Sequence, residues 1–320
     1  MAAGALDLNN RALLLAERMV LERERLGIVV STLEAGGRIL DAGVEARGGL
    51  EAGLALARLT LADLGEVSLV PGDIPRAAFP RVQVATDHPV SACMASQYAG
   101  WQISAGKFFA MGSGPMRAAY GAEELFQRIG RRERTQHAVG VLETGAVPTA
   151  EVFSFLAEKL GLDPGRITLA AARTRSLAGS IQVVSRSVET ALHKLDLLGF
   201  DLERIESGFG SAPLPPPSAS DIEAIGRTND AILYGARVTL WVRGDDDSIA
   251  AVGPRVPASA SKDHGTPFAE VFERYERDFY RIDPLLFSPA EVTFQNLDTG
   301  RTRSFGSLEP AVLERSFLGE

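Results

Sequence analysis

"HAVGVLETGAVPTAEVFSFLAEKLGLDPGRITLAAA", His137 to Ala172, decides the fold class. "HAVGVLE" is a short apolar run of strand length. "TAEVFSFLAEKLG" spaces its apolar residues as a helix does and ends on glycine, and "RITLAAA" returns to a strand. Strand, helix and strand in that order are the repeating unit of an α/β protein.

The alternation continues on both sides. Toward the amino end lie a helix at "AEELFQRIG", a strand running into a turn at "FFAMGSGPMRA", a helix at "SACMASQYAGW" and strands at "RVQVAT" and "EVSLV". A helix at "GLEAGLALARLTLADLG" precedes them. "GIVVSTLEAGGRILDAGV" reads as two strands joined at Gly36-Gly37, so the sheets must be mixed rather than wholly parallel. Asn9 and Asn10 are placed to cap a helix through "RALLLAERMVLERER".

Toward the carboxyl end, "SLAGSIQVVSRSVETALHKLDLLG" is the longest helical pattern. "DIEAIGRTNDAILYG" is a helix. "ARVTLWVRGDDDSIAAV" reads as a hairpin tipped by Asp245 to Asp247. "PFAEVFERYERDFYRI" reads as a helix with Phe268, Phe272, Tyr275 and Phe279 along one side, and "AEVTFQN" with "RTRSFG" as a last hairpin. The prolines of "SAPLPPPSAS" resist helix and sheet alike. They suggest a larger lobe over 1–212 and a smaller one over 213–320, unless the lobes exchange segments.

Composition narrows the chemistry. With 45% hydrophobic and 23% charged residues the chain has ample material for a core. Its 33 basic and 41 acidic residues give a net charge of −8 without a basic block, which argues against nucleic acid as a partner. The amino terminus does not read as a signal peptide and no stretch approaches a membrane span, so cytoplasm is the expected location. Cys93 is the only cysteine, which excludes an intrachain disulfide and a thiolate metal cluster. The four histidines are scattered without zinc-ligand spacing, and no metal is expected.

Two places could carry chemistry. In the long helical pattern Leu177, Ile181, Val184, Val188, Leu192 and Leu195 form an apolar stripe. Gln182, Arg186, Glu189 and His193 fall on the opposite side, with Arg186 and Glu189 close enough to meet. Such a pair is ordinarily a solvated bridge of little consequence. It gains a function only if that face looks into a cleft. The turn Gly112-Ser113-Gly114-Pro115 leads into a helix start, whose backbone N–H groups suit negative charge, with Lys107 before it and Arg117 after it. Arg227, Asn229 and Asp230 in "GRTNDA" are weaker candidates. Gly112-Ser113-Gly114 lacks the third glycine and the acidic residue of a dinucleotide fingerprint, so no nicotinamide cofactor is expected.

Taken together, "ACMASQYAGW" at Ala92, "FFAMGSGPMRA" at Phe108, "SLAGSIQVVSRSVETALHKL" at Ser176, "GRTNDAILYG" at Gly226 and "DHGTPFAEVFERYERDFYRIDPLLFSPAEV" at Asp263 resemble the methenyltetrahydromethanopterin cyclohydrolase family. The matching stretches span nearly the whole chain. Met94 and Met116 stand where the resemblance leads one to expect Leu and Ala. The resemblance implies a two-lobed α/β subunit with a cleft between the lobes, a homotrimer, a pterin substrate and no cofactor. It implies reversible hydrolysis of the 5,10-methenyl compound to the 5-formyl compound. It also implies that Glu189 and Arg186 are the catalytic pair, while Lys107, Ser113, Gly114, Arg117, Asn229 and Asp230 are expected to bind substrate. The alternatives are a folate-type cyclohydrolase and a non-catalytic pterin-binding protein.

Overall fold

In a computed structural model of the chain, which describes residues 7–73 and 79–319, the described residues form two six-stranded sheets. In chain order the strands are β1 (Val29–Thr32), β2 (Arg38–Asp41), β3 (Glu66–Val70), β4 (Arg81–Thr86), β5 (Trp101–Ala105) and β6 (Phe108–Ser113). They continue with β7 (Ala138–Glu143), β8 (Ile167–Ala172), β9 (Ile205–Pro213), β10 (Arg237–Val242), β11 (Glu291–Asn296) and β12 (Thr302–Gly306). Two compact units each hold one sheet. The first takes the chain up to Gly65 together with Ser91–Gln182, and the second takes Glu66–Val90 together with the chain from Val183 onward.

The first sheet has the order β1-β2-β8-β7-β6-β5, parallel at its centre and antiparallel at both flanks. Its strands alternate between two cores. Ala170 and Ala172 of β8 pack with the helices Leu8–Leu21 and Leu50–Thr60, while Leu169 and Ala171 pack with Phe153 and Leu156 of the helix Ala150–Leu160. Burial on both faces is why β7 and β8 read as continuous apolar runs. The stretch His137–Ala172 is thus a strand, helix and parallel strand, and the Gly36-Gly37 hairpin is the antiparallel pair β1 and β2.

Asn9 does not cap the first helix. Asp7 stands at the cap without a side-chain capping bond, and Asn9 lies inside the helix with no exposed surface. Its amide accepts from the Val139 N–H at 2.9 Å and donates to the Pro115 carbonyl at 2.9 Å and to Glu133 at 2.8 Å. The buried amide joins the helix to β7 and to the turn after β6.

The second sheet has the order β12-β11-β10-β9-β4-β3, and its only parallel pair is β10 with β11. Val238, Leu240 and Val242 of β10 are buried, whereas Thr239 and Trp241 between them are half-buried. One face is apolar and the other polar, as antiparallel-rich sheets allow. β9 pairs with β4 on one side and β10 on the other, so Ser211 to Pro213 lie inside this sheet. The proline run that follows β9 is a loop within the second compact unit.

Two other expectations fail for local reasons. Asp245 accepts from the Ser248 N–H at 2.7 Å and caps a helix, Asp246–Val252, where a hairpin return was expected. The aromatic helix stops at Arg274, and Glu276 and Arg277 take left-handed backbone angles. Phe279 folds back to lie 4.5 Å from Phe272 between ring centroids, while the Tyr275 hydroxyl leaves the cluster and donates to Asp263 at 3.0 Å.

Candidate functional site

The long helical pattern is not one helix. It forms Leu177–Val184, loses helical geometry at Ser185 and Arg186, and restarts as Ser187–Leu197. Arg186 is the cap residue of the second helix, and its carbonyl accepts from the Thr190 N–H at 2.9 Å. Glu189 is the third residue of that helix, in the opening turn where the helix dipole is positive. The break places a guanidinium and a carboxylate at one helix start rather than midway along a rod.

Their burial is the decisive property. Arg186 is 7% exposed and Glu189 4%, and Gln182 on the same expected polar side is 2% exposed. His193 is half-buried. The polar side of the pattern is therefore enclosed rather than solvated. Removing two ionisable groups from water costs several kcal/mol per ion before pairing offsets it, so such an arrangement is poor as mere surface decoration.

β9 sets where this helix begins. A Cβ built on Gly210 would lie 2.3 Å from Ser187 Oγ and 2.9 Å from Val188 Cγ2, and one on Gly208 would lie 2.7 Å from Val188 Cγ1. Only glycine permits the helix start to sit so close on the strand. The Gly-x-Gly of "ESGFGSAP", at alternate positions of a strand, is the signal in the sequence that could have pointed to this contact. Lys194, five residues after Glu189, is fully buried and donates to the Leu285 carbonyl. Burial pulls its ammonium down to about 8, against the opposing attraction of Asp283.

The glycine turn after β6 makes hydrogen bonds within the protein. Gly114, at φ +90°, donates its N–H to the Ser96 carbonyl at 2.9 Å, and Ser113 Oγ lies 3.3 Å from the Val141 carbonyl. The helix that follows, Met116–Tyr120, is a single turn. Arg117 has no exposed surface. Its guanidinium donates to the Tyr98 carbonyl, pairs with Glu123 and lies 4.5 Å from the centroid of the Tyr98 ring. Both terminal nitrogens of its guanidinium are thus bound within the protein.

Asp230 likewise faces inward. It is fully buried, accepting from the Phe268 N–H at 2.7 Å and from Ser316 Oγ at 2.6 Å. Burial raises its carboxyl to about 7, with both hydrogen bonds opposing the rise. Asn229 is half-buried and donates to the Ile225 carbonyl of its own helix at 2.8 Å, and Lys107 is exposed in the β5–β6 turn. Among the described residues, no group of three His, Cys, Asp or Glu side chains is placed to hold a metal ion, and no helix is long and apolar enough to cross a membrane.

The whole chain has known relatives. Residues 7–317 match the family described as "Cyclohydrolase (MCH)". A methenyltetrahydromethanopterin cyclohydrolase of Rhodopirellula baltica is 52% identical over 88% of this chain and 86% of its own length. Proteins of the same name from Xanthobacter autotrophicus and Methanococcoides burtonii are 46% and 38% identical, covering 95% and 98% of this chain and 90% and 98% of their own lengths. The stretches that carried the resemblance in the sequence lie within this match, and the chain belongs to the cyclohydrolase (MCH) family.

Proposed function

We propose that the chain hydrolyses the methenyl bridge of a 5,10-methenyl-tetrahydromethanopterin to give the 5-formyl compound, reversibly, with Glu189 moving the proton and Arg186 positioning it. The observation that carries the assignment is the enclosure of both charged side chains at one helix start, 4% and 7% exposed. The relatives' names supply the substrate class.

The chemistry asks little more of the protein. The methenyl carbon shares its positive charge with two nitrogens and is electrophilic without help from a metal. Water attacks that carbon and gives a proton to Glu189. The tetrahedral adduct then expels the ring-opening nitrogen, which takes a proton from Glu189 as the hydroxyl proton leaves and the formyl C=O forms. One water is consumed and one proton released. A single carboxyl group can serve both transfers. The Arg186 cation tempers the attraction of Glu189 for the cationic substrate, which would otherwise favour bound substrate over the transition state.

The homotrimer, the cleft between two lobes and the cytoplasmic location implied by the resemblance belong to this proposal, as do Lys107, Ser113, Gly114 and Asn229 as contacts for the pterin. Arg117 and Asp230 leave the set, because their side chains are committed inside the protein. The test is decay of the methenyl absorbance on adding purified protein to methenyl-tetrahydromethanopterin, with the methenyl folate run beside it. Turnover of the methanopterin compound is expected. No turnover of either compound, or turnover of the folate alone, would overturn the reading.

A further inference from the structure

The polar face of the second sheet carries a cavity of about 340 Å³, lined from β3 to β11. Strand alternation separates it from the catalytic helix. Gly208 and Gly210 of β9 face the helix that bears Glu189, while Phe209 and Ser211 face the cavity on the opposite side. Its volume is at the small end of ligand sites.

Arg81 forms the inner wall and is 4% exposed. Its Nε donates to Ser211 Oγ at 2.8 Å, and Nη2 donates to the carbonyls of Ser211 and Gly235 at 2.8 and 3.0 Å. Nη1 is buried without a hydrogen bond, 3.4 Å from Asp73 Oδ1. The other Asp73 oxygen accepts from Arg237 at 2.6 Å. Asp73 is 55% exposed and Arg237 44%. A rim carboxylate thus bridges two guanidinium groups and leaves the inner one incompletely satisfied. A buried donor without an acceptor costs about 1–3 kcal/mol.

We propose that this cavity binds a small molecule through one oxyanion group, phosphate or carboxylate, held between Arg81 and Arg237, with Asp73 as the internal competitor. Guanidinium forks favour such planar or tetrahedral oxyanions. Phe209 offers an apolar wall, and Gln83, Thr239 and Thr293 offer polar contacts for the remainder of the ligand. Glu291, paired in register with Arg237, opposes a second anionic group at that end. The site is separate from the cyclohydrolase reaction and does not depend on that reading.

The experiment is calorimetric titration of the full chain with inorganic phosphate and, separately, acetate. It compares wild type, Asp73→Asn and the double variant Asp73→Asn/Arg237→Gln. Asp73→Asn is expected to tighten binding of at least one probe fivefold or more, since a competitor that holds the site most of the time reduces apparent affinity by that fraction. Adding Arg237→Gln is expected to abolish the gain. The probe that gains more names the group as phosphate or carboxylate. Asp73→Ser repeats the comparison with a shorter side chain, and circular dichroism checks that each variant is folded. No gain for either probe in folded Asp73→Asn or Asp73→Ser, or a gain that survives Arg237→Gln, overturns the site.

Discussion

Gly210 and Ser187 are in direct opposition: a side chain on the strand residue would begin 2.3 Å from the hydroxyl of the helix residue. Ser187 opens the helix that carries Glu189 two residues later. The backbone of β9 therefore fixes the height of the Glu189 carboxylate above the sheet.

Gly210→Ala is expected to lift that helix start. The overpacking should cost about 1–3 kcal/mol of stability, and the displacement should lower kcat by about tenfold to a hundredfold. Gly145→Ala, where a Cβ would meet nothing within 4 Å, is the control. Stopped-flow turnover beside thermal melts gives the comparison, and wild-type kcat in the Gly210 variant would refute the positioning argument.

Glu189→Gln keeps the shape and removes the carboxyl group proposed to carry the proton. Turnover should fall by roughly 10²–10⁴-fold, the range of a lost general base, while pterin affinity changes only a few-fold. Arg186→Lys should retain more kcat than Arg186→Gln, because the charge survives although the fork is lost. Near-normal turnover of Glu189→Gln in the methenyl absorbance assay would take Glu189 out of the mechanism.

Arg117 should behave as a structural residue. Arg117→Gln removes the partner of half-buried Glu123 and of the Tyr98 carbonyl, and leaving such groups unsatisfied costs about 1–3 kcal/mol. Denaturant unfolding should show that loss, with the KM of the folded fraction unchanged. A raised KM at unaltered stability would return Arg117 to the binding site.

Asp230 makes stability depend on pH. Its carboxyl titrates near 7 when folded and at the ordinary value of about 4 when unfolded. Between those values the folded chain holds more protons, so stability falls as pH rises, by roughly 1.4 kcal/mol per unit, and levels off above 7. Asp230→Asn should remove this slope. Melting midpoints of both proteins between pH 5 and 8 provide the measurement, and parallel curves would contradict it.

Much of the architecture is legible because it rests on local pattern. β7 and β8 are mostly apolar since helices cover both faces, and Gly36-Gly37 marks the β1–β2 turn. The helix over Asp246–Val252 was missed although Asp245 and Ser248 carry its cap, because the acidic run resembles a turn tip. The candidate site was half legible. Glu189 and Arg186 stand out by residue type and spacing, but their enclosure and the break at Ser185 depend on the folded surroundings. Arg117 and Asp230 show the limit, because a charged side chain written in sequence looks the same whether it meets a ligand or a buried partner within the protein.

The pairing of β4 with β9 has a consequence for how the chain is made. Thr86 is registered with Gly208, so the β3–β4 hairpin leaves the ribosome long before its neighbour exists. Every strand of the first sheet except β1 and β2 is synthesised in that interval. An open strand edge waiting through it invites association with other nascent chains. Holdase chaperones should therefore raise the yield of the full chain more than that of a rearranged chain in which the β3–β4 segment is moved to stand immediately before β9.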